Sequence, residues 1–242
     1  MLCYSLVFNG LEEDLNRIRS IPQMPIELAL PLDTLQTLSI PELADPFLEE
    51  NVKVEYVKLL SPCQDTLVED LEKTVILADE LTAEFIVLPV DKGGLHSIIN
   101  VIDKIFESAV VYSKKIALEP SREALAKVVS STNKFLGGVF KFSFSPTPTS
   151  TTDEVTTLAL TYLGQLAAVK LVGFSNEGNA SRISGASGIN VFALIKELLE
   201  SGYDGYFVLD YEPRGLMLPS RLVWEDCELL IQYINSLIEK RS

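Results

Sequence analysis

The chain has 242 residues, of which 47% are hydrophobic and 22% charged, a balance that excludes a disordered or fibrous protein. With 20 Lys plus Arg against 34 Asp plus Glu, the net charge is −14, so phosphate backbones are repelled and no nucleic-acid partner is expected. Cys3, Cys63 and Cys227 stand far apart without a CxxC pair, which argues against a disulfide framework or a zinc knuckle and suits a reducing, cytoplasmic setting. The opening MLCYSLVFNGLEED has no basic leader, and no apolar run reaches the ~20 residues a membrane span needs, so no membrane partner is expected.

In chain order, LCYSLVF reads as a strand and LEEDLNRIRS as a helix, with Leu11, Leu15 and Ile18 on one face. PIELAL is the second strand-like run, followed by a Pro-punctuated stretch through PELADPFLEEN. VKVEYVKLL precedes a predicted helix from Thr66 to Thr82, with Leu67, Leu71, Val75, Ala78 and Leu81 as its stripe and Asp65 at the N-cap position. EFIVLPV leads to IINVIDKIFESAVVY, and KKIALEP leads to REALAKVVSSTNKFL. VFKFSFS precedes a helix over Asp153–Leu166, with TPTSTTD as the connecting loop. AVKLVGF leads through a Gly/Ser/Asn-rich loop to INVFALIKELLESG, and YFVLDYE leads to a last helix from Leu222 to about Glu239.

Eight strand-like runs, each followed by helical sequence, imply parallel strands with right-handed crossovers. An open doubly wound sheet shares that local pattern. The count favours a (β/α)8 TIM barrel, whose usual size of about 250 residues matches this chain, as a single domain over 1–242. In such a barrel the active site gathers at the carboxyl ends of the strands. The polar residues predicted there are Asn9, Asp33, Ser61, Asp65, Asp91, Lys92, Glu119, Ser143, Ser145, Ser175, Asn176, Asp210 and Glu212. Glu119, closing IALEP, and Asp210, closing YFVLD, are the leading catalytic candidates, because a carboxylate ending an apolar strand is held at the barrel mouth. A rim salt bridge is the alternative for each.

Around them, Lys92 is a candidate substrate contact, and the lone His96, near the start of a helix, a candidate base or a structural loop residue. SGASGIN, with Gly185, Ser187 and Gly188, could cradle an anion at a helix start, with Arg182 and Arg214 flanking it. The alternative is an ordinary loop. Cys3 and Cys227 read as core thiols, Trp224 as core or barrel-wall packing, and Cys63 as an exposed thiol without a partner histidine.

The order of elements, with LEEDLNRIRS, IALEP, GASGIN and GYDGYFVLDYE, resembles the xylose isomerase-like TIM barrels, which include sugar isomerases, sugar epimerases and endonuclease IV. The resemblance implies a divalent-metal site that moves a proton or hydride on a bound sugar. It places Glu119 at the strand-five glutamate and Asp210 at the strand-eight glutamate. It finds Ser143 and Ser145 near the strand-six aspartate, Val172 or Gly173 at the strand-seven histidine, and Pro89 at the strand-four histidine. The metal site implied is therefore degenerate, reduced to Glu119 and Asp210. Two hard oxygen donors suit Mg or Mn rather than zinc.

Two functions follow as expectations. One is a sugar or sugar-phosphate isomerase or epimerase with that reduced site. The other is a non-catalytic relative that binds a small ligand or protein partner. Apolar residues on the outer helices would serve a homo-oligomer as well as barrel packing.

Overall fold

Alternation of apolar runs with helical sequence becomes, in the computed structural model, eight parallel strands in a closed barrel. The structure describes residues 1–20, 24–61, 67–91, 105–121, 124, 125, 128, 140–185 and 189–240. The strands are β1 (Leu2–Val7), β2 (Ile26–Leu30), β3 (Val54–Leu59), β4 (Phe85–Val90), β5 (Lys115–Pro120), β6 (Phe140–Phe144), β7 (Leu166–Leu171) and β8 (Tyr206–Leu209). Their order around the barrel is β1-β8-β7-β6-β5-β4-β3-β2, as eight βα repeats require. By internal contacts the residues group into two compact units, 6–143 and 1–5 with 144–242.

Within 6–143, β2 pairs with β3, β3 with β4, β4 with β5 and β5 with β6, all parallel. All six residues of β3 and all five of β2 are buried, which is why these runs lack a polar alternation. The helices here are α1 (Glu12–Ser20), α2 (Leu32–Thr37), α3 (Ile40–Glu49) and α4 (Val68–Glu80). The Pro-punctuated stretch after β2 is thus α2 and α3, separated at Ser39. Ser39 starts α3 with a capping box: its side chain accepts from Glu42 N, and its own N–H donates to the Glu42 carboxylate at 2.7 Å. Leu43, Ala44 and Phe47 bury the inner face of α3, with the Phe47 ring edge-on to Phe8 at 5.3 Å. Residues 105–111 are helical, within the predicted helix after β4. Asp65, Cys63 and most of the helix expected after β5 lie outside the described residues.

Within 1–5 and 144–242, Leu2, Cys3 and Tyr4 pair with Phe207, Val208 and Leu209 of β8, and β8 pairs with β7. Here α5 (Thr152–Thr161) is shorter than the sequence suggests. A single 3₁₀ turn at Leu163–Gln165 replaces its last turn, and β7 begins at Leu166. Of TPTSTTD, residues 147–151 form the loop before α5 and Thr152 and Asp153 begin the helix, whose start is a second capping box, Thr151 with Glu154. The remaining helices are α6 (Val191–Glu200) and α7 (Ser220–Glu239). Gly205 precedes β8 where any Cβ would lie 2.6 Å from Tyr203 Oη and 2.8 Å from the Ala167 carbonyl, so only glycine fits. Cys3 and Cys227 are fully buried, as expected, and burial pushes the Cys227 thiol up to about 12. Trp224, on α7, is 40% exposed and so is not a core residue, which leaves the barrel-wall reading.

Candidate functional site

Glu119 is the penultimate residue of β5 and Lys58 the penultimate residue of β3. The register pairs Lys58 with Val87 and Val87 with Ala117, so these three share a face of the sheet, and Glu119 joins them two residues beyond Ala117. Lys58 reaches across β4 on that face, and its ammonium donates to both Glu119 oxygens, at 2.8 and 3.0 Å. Ser143 Oγ donates to Glu119 Oε2 at 3.4 Å from the end of β6. The side chains of Lys58 and Glu119 are 5% and 11% exposed, and Ser143 is fully buried. At such burial the pair interacts far more strongly than a surface salt bridge. This cluster lies wholly within 6–143.

Asp210 directly follows β8 and is fully buried. Arg214 Nε donates to its Oδ2 at 2.9 Å, while Arg214 Nη2 donates to Ser145 Oγ and to the Pro146 carbonyl at 3.5 Å. The register pairs Lys170 of β7 with Val208, so Lys170, Val208 and Asp210 share one sheet face, with Lys170 fully buried. The next two residues are also engaged. Tyr211 donates to Asp226 Oδ2 at 2.6 Å and accepts from Ile183 N at 3.0 Å, and Tyr4 donates to Glu212 Oε1 at 2.8 Å. Burial, then the bond to Asp226, pushes the Tyr211 phenol well above its ordinary range.

Arg182 was expected to bind an anion, and the structure gives its guanidinium other work. Nε and Nη2 fork onto Asp226 at 3.0 and 2.7 Å, and Nη2 also donates to Glu225 and the Leu222 carbonyl, both at 3.3 Å. The bonds to Asp226 raise its already high pKa further. Gly185 ends a 3₁₀ turn, Ile183–Gly185, whose first N–H goes to Tyr211. The start of α6 is capped from within the chain, since Asn190 accepts from Ala193 N at 3.1 Å, which leaves the helix end less need of a bound anion. Ser187, Gly188, Lys92 and His96 lie outside the described residues.

The set expected to hold Mg or Mn does not suit a divalent cation. A cation bound 2.0–2.6 Å from the Glu119 oxygens would meet the Lys58 ammonium about 4 Å away. That repulsion is ~4 kcal/mol per unit charge at an effective dielectric of about 20, and double for a divalent ion. Asp210 already accepts from Arg214 in the same way. Among the described residues, no group of three or more His, Cys, Asp or Glu is placed to share a metal ion.

Sequence reasoning passed over Lys58 and Lys170. The signal was present: a lysine inside the apolar runs VEYVKL and LAAVKL is a charge that must be buried, and a buried charge needs a partner. No helix among the described residues is long and apolar enough to cross a membrane.

No protein-family profile matches the sequence, and no curated protein matches it. Solved structures do match along nearly the whole chain. One is a xylose isomerase domain protein from Planctomyces limnophilus, at TM-score 0.72 and 10% identity, covering 98% of each chain. Another is a D-tagatose 3-epimerase-like protein, at TM-score 0.70 and 17% identity, covering 99% of each chain. With its eight parallel strands closed in that order, this chain has a (β/α)8 TIM-barrel fold similar to that of these two structures.

Proposed function

We propose that the chain binds a small carbohydrate-like carbonyl compound at the carboxyl ends of its strands and exchanges a proton on it, as an isomerase or epimerase does. The observation that carries this reading is the buried Lys58–Glu119 pair, placed where a TIM barrel keeps its chemistry. A buried ion pair is a poor stabiliser compared with an apolar pair of similar size, so its presence at a strand end is better explained by a ligand. Glu119 is the base in this reading. The C–H bond beside the carbonyl breaks, its proton passes to Glu119, and the electron pair shifts to leave an enediolate. Delivery of a solvent-exchanged proton to the opposite face of the same carbon gives the epimer; delivery to the neighbouring carbon, with a proton passing from one enediolate oxygen to the other, gives the isomer.

The test is incubation with a panel of aldoses, ketoses and their phosphates in D₂O, read by NMR for deuterium at carbon. Exchange is expected with the wild type and is expected to fall about 10²- to 10⁴-fold in Glu119→Gln. No exchange with any compound of the panel would overturn the reading.

A non-catalytic binding barrel is the second reading. It is favoured by the engagement of both strand-end carboxylates with cations, Glu119 with Lys58 and Asp210 with Arg214. A sugar that raises the melting midpoint without any exchange would select it.

A further inference from the structure

We infer that the Lys58 ammonium performs, at Glu119, the charge-balancing and electrophilic task of a divalent cation, so that this site works without a metal. The inference deepens the proton-exchange reading and rests on it for the ligand. Three observations support it. Lys58 contacts both carboxylate oxygens, at 2.8 and 3.0 Å, and so occupies the acceptors that a bound cation would need. It reaches there from β3, across β4, on the sheet face shared with Val87 and Ala117. Its side chain is 5% exposed, so the positive charge is fixed in place rather than solvated.

The chemistry is balanced without a further reagent. As the substrate's proton moves to Glu119, the ammonium's bond to that carboxylate weakens and its N–H groups turn to the oxygen that gains negative charge. A metal supplies the same stabilisation as a Lewis acid. A lysine supplies it as a hydrogen-bonding point charge, which selects an oxyanion or a polarised carbonyl oxygen as its ligand.

The experiment uses Mn²⁺ alone, with no sugar, so that its failure is separable from that of the enzymatic reading. Melting midpoints are followed through millimolar Mn²⁺ for the wild type, Glu119→Gln, Lys58→Met and the double variant Lys58→Met/Glu119→Gln. The wild type is expected to show no Mn²⁺-dependent shift. Lys58→Met is expected to gain one, about 5 °C at saturating metal, because the metal no longer competes with the ammonium for the carboxylate. The double variant, which loses both charges and keeps the packing, is expected to lose that gain. A wild-type shift that disappears in Glu119→Gln would overturn the inference, and this arm needs no change at Lys58. A folded Lys58→Met that ignores Mn²⁺ would overturn it equally.

Discussion

Removing the hydroxyl of Tyr211 would break two bonds at once. Asp226 loses a 2.6 Å donor and the Ile183 N–H loses its acceptor. Asp226 would keep the Arg182 fork, so the cost falls mainly on the orphaned N–H and the weakened carboxylate, ~2 kcal/mol in all. Tyr211→Phe is therefore expected to lower the urea midpoint without altering the slope, and an unchanged midpoint would contradict the network described here. Such networks explain what could be read at single positions and what could not. Glu119 and Asp210 were legible because a carboxylate ending an apolar strand stands out. Their partners were not, since Lys58 lies 61 positions from Glu119 and only strand register brings them together. The partner of Arg182 was hidden for the same reason: Asp226, which binds its guanidinium, lies 44 positions later.

At the scale of elements, the capping box of α3 gives a pH signature. The bonds from the Ser39 side chain and then its backbone N–H hold the Glu42 carboxyl below its ordinary 4.5. A lowered folded-state pKa means stability that is present above the unfolded value and lost as pH falls through the folded one. The stability gap between wild type and Ser39→Ala is thus expected to be widest near neutral pH and to narrow below 4.5. Urea unfolding across that range checks it, and a constant gap would mean the box contributes no charge-dependent bond. Strands and most helices were legible from periodicity, because buried parallel strands read as unbroken apolar runs. The split of the stretch after β2 into α2 and α3 was not, since its prolines masked a helix that begins at Ser39 and accommodates Pro46 within it. The end of α5 was also overrun, where Leu163–Gln165 tightens to a 3₁₀ turn before β7.

Over the whole molecule, a charge of −14 repels itself in the folded state more than in the expanded one. Raising ionic strength from about 0.01 M to about 1 M shortens the screening length from roughly 30 to 3 Å, so the melting midpoint is expected to rise with sodium chloride. A midpoint that falls instead would show that attractive pairs such as Arg182–Asp226 outweigh the repulsion. The closed strand order has a consequence for how the chain is made. The amino group of Met1 bonds the Gly205 carbonyl, 204 positions away, and Leu2 to Tyr4 pair with Phe207 to Leu209. A ribosome adding about 5–20 residues per second leaves β1 without its β8 neighbour for roughly 10–40 s. During that interval the apolar segment LCYSLV waits on the nascent chain with its edge unpaired, a stretch that a chaperone would shield.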